Sequence, residues 1–206
     1  MSNNNTSSNP VAANDQVFNV RGLLDAAIPP EAEIQALMLQ GKDQSFAQWM
    51  EGRVARLSTR TYDWDALKFQ ADFDPKYRRA QMRYVGTGGT GVAKDANTVP
   101  IGHFTFSTML IPAGHEGPMH IHYDVEEIFF MLRGKMKVIC EKDGQRWETI
   151  VNERDLISVP PGVYREEINI GDEDALMCVM LGSPKPITPV YPPDSPLAAI
   201  KRNLQK

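Results

Sequence analysis

The second half of this chain predicts an all-β fold, an antiparallel sandwich or jelly-roll barrel with a short helical extension on its N-terminal side. Three observations carry that expectation. From Ile101 to Gly182 apolar and polar residues alternate with period two, the runs are short, and no long helical period separates them. Seven runs read as strands in order: 101–111 (IGHFTFSTMLI), 127–134 (EIFFMLRG), 134–142 (GKMKVICEK), 145–151 (QRWETIV), 155–160 (DLISVP), 164–170 (YREEINI) and 175–181 (ALMCVML). Turn residues separate them: AGHEG, KDG, PPG and GDED. Asp143-Gly144 between two alternating runs predicts a tight hairpin, since both residues accept the positive φ such a turn requires.

The first 16 residues are Asn/Ser-rich and too polar to fund a core, so disorder is expected there. Residues 17–98 read as a helical and irregular extension that packs on the barrel. Pro29 and Pro30 precede Ile34, Leu37 and Met38 at helical spacing, with Gly41 as a stop. Ser45 and Gln48 resemble a capping box ahead of Trp49, Met50, Val54 and Leu57, whose apolar face is expected to serve as core or subunit contact. The run GTGGTG at 86–91 has dinucleotide-binding spacing, but VAKDANTVP follows it with a proline and no helical period, so it is expected to be a loop. The barrel is expected over 99–183. Residues 184–206 then form a Pro-rich strap, PKPITPVYPPDSP, followed by a short helix opening at Ser195-Pro196 and running through Leu204.

A length of 206 residues suits one domain with extensions rather than two full domains. With 22 basic against 26 acidic residues the net charge is -4, which argues against binding to nucleic acid or to anionic membranes. The two cysteines, Cys140 and Cys178, lie in strand-like runs and read as buried thiols. The N-terminus lacks a basic start and an apolar stretch, and no run reaches membrane-span length, so a cytoplasmic location is expected and the sequon at Asn5 carries no weight.

Chemistry concentrates between Gly114 and Gly134, GHEGPMHIHYDVEEIFFMLRG. In a strand His120 and His122 point to one side and can reach one ion together, and Glu127 adds an anionic oxygen. Two imidazoles and a carboxylate suit a divalent transition metal, Fe first with Mn, Zn or Ni as alternatives, and leave positions open for water or substrate. Phe129 and Met131 share Glu127's alternation and are expected to line the interior as substrate contacts, Tyr123 to border the mouth, and Asp124 and Glu126 to face solvent. His103 and His115 have no comparable support as ligands.

These residues resemble the cupins, whose first motif is written G(X)5HXH(X)4E(X)6G. Gly114, His120, His122, Glu127 and Gly134 fit it without a gap. In the second, G(X)5PXG(X)2H(X)3N, Pro160, Gly162 and Asn169 are in register, while Arg154 stands for the glycine and Arg165 for the histidine. The resemblance covers about residues 100–183 and implies a cupin-type double-stranded β-helix with a metal inside it and self-association as a homodimer. It also implies His120, His122 and Glu127 as metal ligands, without a fourth, because a guanidinium has no lone pair to give.

Three outcomes follow for Arg165. It clamps a substrate carboxylate or enolate beside a three-ligand metal; or it pairs with Glu127 in a metal-free barrel; or it turns away toward Glu166, Glu167 or Asp155. The leading functional expectation is an Fe(II)-type, dioxygenase-like enzyme acting on a small oxygenated organic acid, ketone or phenol, with Arg165 stabilising developing charge. A metal-dependent lyase or isomerase without redox chemistry, and a small-molecule-binding protein without turnover, are the alternatives.

Overall fold

The computed structural model describes residues 43–86, 98–99 and 103–199. The expected helix near 29–41, the loop 87–91, the disordered tail and the end of the C-terminal helix lie outside them. By compactness the chain divides into Met1–Phe46 and Ala47–Lys206, and every strand among the described residues belongs to the second unit.

Among the described residues nine strands form two antiparallel sheets. They are β1 (Ala80–Val85), β2 (Thr105–Ile111), β3 (Glu116–Ile121), β4 (Glu127–Arg133), β5 (Met136–Lys142), β6 (Gln145–Val151), β7 (Leu156–Val159), β8 (Tyr164–Asn169) and β9 (Ala175–Leu181). One sheet has the order β1-β2-β9-β4-β7 and the other β3-β8-β5-β6. All seven expected strands are present. The Asp143-Gly144 hairpin has φ of 51° and 73°, the pair of positive values expected between β5 and β6.

Two strands were not among the seven. β1 lies inside the stretch expected to be extension, so the sheet begins at Ala80 and not at 99. Its run AQMRYV has no clear alternation because Gln81 and Arg83 are buried along with Ala80 and Met82. β3, EGPMHI, is broken in the sequence by glycine and proline. Its register slips between Gly117 and His120: Gly117 opposes Glu167 and His120 opposes Arg165, which leaves two residues on β3 against one on β8. This is a β-bulge, and Pro118, with no N–H to contribute to a ladder, sits within it. The bulge brings Gly117 and His120 onto one face despite their odd spacing.

The interior faces of the two sheets close over an apolar core. Met109, Ile111, Phe129, Met131, Met177 and Val179 come from one sheet and Met136, Val138 and Val151 from the other. Cross-strand register sets this: Phe129 pairs with Val179 and Met131 with Met177, so their side chains rise from the same side. Burying each of these large side chains is worth about 1.5–3 kcal/mol.

Before the barrel, Phe46–Glu51 forms a helix (α1) and Lys68–Ala71 a single turn (α2). α1 buries none of its residues, and Met50, Val54 and Leu57 are exposed, so the expected apolar face is not core. After the barrel the strap returns along β3, where Ile121 and Val190 exchange backbone hydrogen bonds of 2.8 and 2.9 Å. The turn at Pro196–Ala199 follows. Cys140 and Cys178 are free thiols, on β5 and β9. No helix among the described residues is long and apolar enough to cross a membrane.

Candidate metal centre

His120 is the last residue but one of β3, His122 directly follows the strand, and Glu127 opens β4, so the two sheets meet at these residues. All three are buried, and one ligand atom from each lies within 4.8 Å of the others. Glu127 Oε2 stands 3.5 Å from His120 Nε2 and 3.9 Å from His122 Nε2. The two rings are 5.5 Å apart, edge to face.

What turns the Nε2 atoms inward is a pair of backbone carbonyls. His120 Nδ1 is 2.8 Å from Pro118 O, and His122 Nδ1 is 3.3 Å from Ile187 O. A carbonyl oxygen only accepts, so each Nδ1 carries the hydrogen, and in the neutral ring Nε2 keeps its lone pair. Burial pushes the His122 pKa down to about 4, so this ring is neutral at physiological pH. Pro118 reaches its place through the β3 bulge and Ile187 through the strap, whose N–H donates to Asp124. Neither carbonyl carries a side-chain signal in the sequence, and both went unforeseen.

Arg165, on β8 directly across from His120, points inward with 0% of its side chain exposed. Its Nε donates to Glu127 Oε2 at 2.8 Å and its Nη1 to Val163 O at 2.9 Å. Its Nη2 is buried without a hydrogen-bond partner. Of the three outcomes open for Arg165, turning outward is excluded, and the pairing with Glu127 is present. Burial would raise the Glu127 carboxyl, but the neighbouring His120 ring and the charge of Arg165 outweigh it and hold Glu127 well below the usual carboxylate range.

The donor set fits a divalent cation. Two lone pairs and an anionic oxygen converge in a buried space, an arrangement that repels itself unless positive charge lies among the three. Arg165 neutralises Glu127 from one side only, and its bond to Oε2 leaves that carboxylate further lone pairs.

The remaining expected site residues are dispersed. Phe129 and Met131 lie in the core cluster, 2% and 0% exposed. Tyr123 is 63% exposed and sits beside Tyr164. Asp124 and Glu126 are exposed, as expected. His103 is exposed, His115 Nδ1 lies 2.8 Å from Arg78 O, and neither joins the triad.

Residues 107–181 match the model of the cupin domain. The barrel is a cupin domain. At the position where the second cupin motif has glycine, Arg154 adopts a φ of 68°, the left-handed conformation that glycine takes freely. No curated protein sequence matches the chain. Among solved structures, peruvianin-I, described as a cysteine peptidase from Thevetia peruviana latex, is 14% identical and aligns over 66% of this chain and 75% of its own, with a TM-score of 0.50. Oxalate oxidase is 21% identical over 55% of this chain and 54% of its own, TM-score 0.45. Oxalate decarboxylase from Lactobacillus farciminis is 14% identical over 66% and 34%, TM-score 0.49. The chain thus spans about half the length of the oxalate oxidase, and likeness at such identities is a likeness of fold alone.

Proposed function

We propose that this cupin is a metal-dependent enzyme acting on a small oxygenated organic acid, ketone or phenol. An Fe(II)-type, dioxygenase-like reaction is the leading reading. The convergence of two carbonyl-pinned Nε2 atoms on Glu127 Oε2 carries it. His120, His122 and Glu127 would hold the ion, with Mn, Zn or Ni as alternatives to Fe. A bound ion supplies Lewis acidity, and with Fe(II) access to oxygen chemistry, at positions three protein donors leave open.

The chain's own residues set the surroundings. The Pro118 and Ile187 carbonyls fix ring orientation and raise the donor strength of each Nε2. Arg165 holds Glu127 ionised, and its unpartnered Nη2 is available to an oxygen placed beside that carboxylate. Phe129 and Met131, on the same buried face of β4 as Glu127, would meet the apolar part of a substrate, and Tyr123 would act from the surface. Purified chain reconstituted with Fe(II) should retain about one ion and consume oxygen with a small-acid substrate; reconstituted chain that holds no transition metal would remove the proposal.

A second reading, a lyase or isomerase that moves a proton without redox chemistry, gains support from Glu167, a buried carboxyl on the same face of β8 as Arg165. Turnover with Zn in strict absence of oxygen would favour it. The exposed apolar side chains Met50, Val54 and Leu57 support a homodimer, which light scattering at micromolar concentration would detect.

A further inference from the structure

We infer that Glu167 is a second working carboxyl of this site, the acid–base group that takes a proton from, and returns it to, a small enolisable keto acid held at the triad. The inference rests on the triad being the place where substrate is held.

Four observations carry it. Alternation along β8 puts Arg165, Glu167 and Asn169 on the buried face, and register places Glu167 across from Gly117 as Arg165 lies across from His120. Glu167 is 3% exposed, yet its Oε2 is buried with no hydrogen-bond partner. A buried carboxylate left this way is expensive, and such expense is commonest where a group works.

The carboxyl also has a seat made for it. A Cβ on Gly117 would fall 1.8 Å from Glu167 Oε1, so the side chain lies over bare backbone that any other residue would cover. Finally, its counter-ion is near but does not clamp it. Arg79 Nε stands 3.9 Å from Glu167 Oε1 and is itself unpartnered, while Arg79 Nη1 is committed to Gln70 Oε1 at 2.8 Å and Tyr77 O at 3.1 Å. Gln70 is held in turn by Tyr191. A pair serving only to stitch the fold would close to hydrogen-bond distance. Burial also pushes the Glu167 carboxyl up, which favours its holding a proton once it has taken one.

The step balances without a co-reactant. Ionised Glu167 takes a proton from the carbon beside the substrate carbonyl. The C–H electron pair becomes a C–C double bond, and the carbonyl π pair moves onto oxygen. The Glu167 acid exchanges its proton with solvent and returns one to that same carbon as the carbonyl re-forms, so nothing is oxidised or reduced.

The full chain loaded with Mn(II), oxygen excluded, is incubated in D2O with pyruvate and with oxaloacetate, and proton NMR follows loss of signal at C3. Wild type should exchange the C3 protons of at least one probe faster than free Mn(II) does. Glu167→Gln should lose at least about a hundredfold of that rate while keeping its metal stoichiometry. Gly117→Ala, which leaves the carboxyl present but moves it, should also lose most of the exchange. A purely structural Arg79–Glu167 pair predicts the reverse: lower thermal midpoints in both variants and unchanged exchange per folded chain. No exchange above free Mn(II) in wild type, or Glu167→Gln within about threefold of wild type, overturns the inference. Metal retained alongside lost inference leaves the triad reading standing; a wild type that takes up no Mn(II) removes both.

Discussion

Arg165 and Glu127 meet at 2.8 Å with almost none of either side chain in water. Taking two charges out of solvent costs several kcal/mol, which their attraction recovers only while both partners are present. Arg165→Met therefore should leave a buried, uncompensated carboxylate and cost the metal-free protein about 3–5 kcal/mol, measured by denaturant unfolding. Added Mn(II) should recover much of that loss, because the ion then supplies the missing charge; a variant that stays equally unstable with and without Mn(II) contradicts a triad able to hold the ion. At this scale the sequence was informative about side chains and silent about backbone. The spacing of His120, His122 and Glu127 foretold their convergence. The Pro118 and Ile187 carbonyls that aim the imidazoles belong to residue types without polar side chains, and the Ile187 contact spans 65 positions. Glu167 was within reach: inward Arg165 on an alternating strand entails inward Glu167.

Among the elements, β3 and β8 do most to assemble the site, and their two faces behave oppositely. Outward from β8, Glu166 lies near Glu116 and Glu167, and burial together with those like charges pushes its pKa up to about 7. A carboxyl raised this way binds more protons folded than unfolded between its ordinary value and the raised one. It favours the fold at low pH, and stability falls as pH rises from about 4.5 through 7. Glu166→Gln should thus raise the thermal midpoint at pH 8 relative to wild type and leave it nearly unchanged at pH 4, read by calorimetry; equal effects at both pH values contradict the assignment. Strand signals were legible wherever one face was apolar, as in β4 and β9. They failed at β1, where Gln81 and Arg83 are buried, and at β3, where the bulge at Pro118 breaks the period that reveals a strand. The glycine-proline pair that hides β3 is the same feature that makes room for Glu167 and turns His120 inward. Core substitutions belong here too: Met131→Ala, at a position with no exposed surface, should cost about 2–5 kcal/mol in urea unfolding.

Over the whole molecule the site ties together segments far apart in sequence: β3, β4, β8 and the strap through Ile187 and Val190. An ion held there would stabilise the fold as a unit, by about 2.7 kcal/mol at a free concentration one hundred times its Kd. For a chain of this size that amounts to a rise of roughly 5–10 °C in thermal midpoint. The barrel was legible in the sequence because it depends on period-two patterning and turn residues. The path of the extension was not, since exposed Met50 and Val54 show that an apolar helical face does not by itself say what covers it. The most direct measurement of the central claim is metal content after reconstitution with Fe(II), Mn(II) or Zn(II) and exhaustive removal of free ion. Wild type is predicted to retain about one ion per chain, and His120→Ala, His122→Ala and Glu127→Gln to retain almost none. A wild type that retains no ion, or variants that retain as much as wild type, would contradict the account.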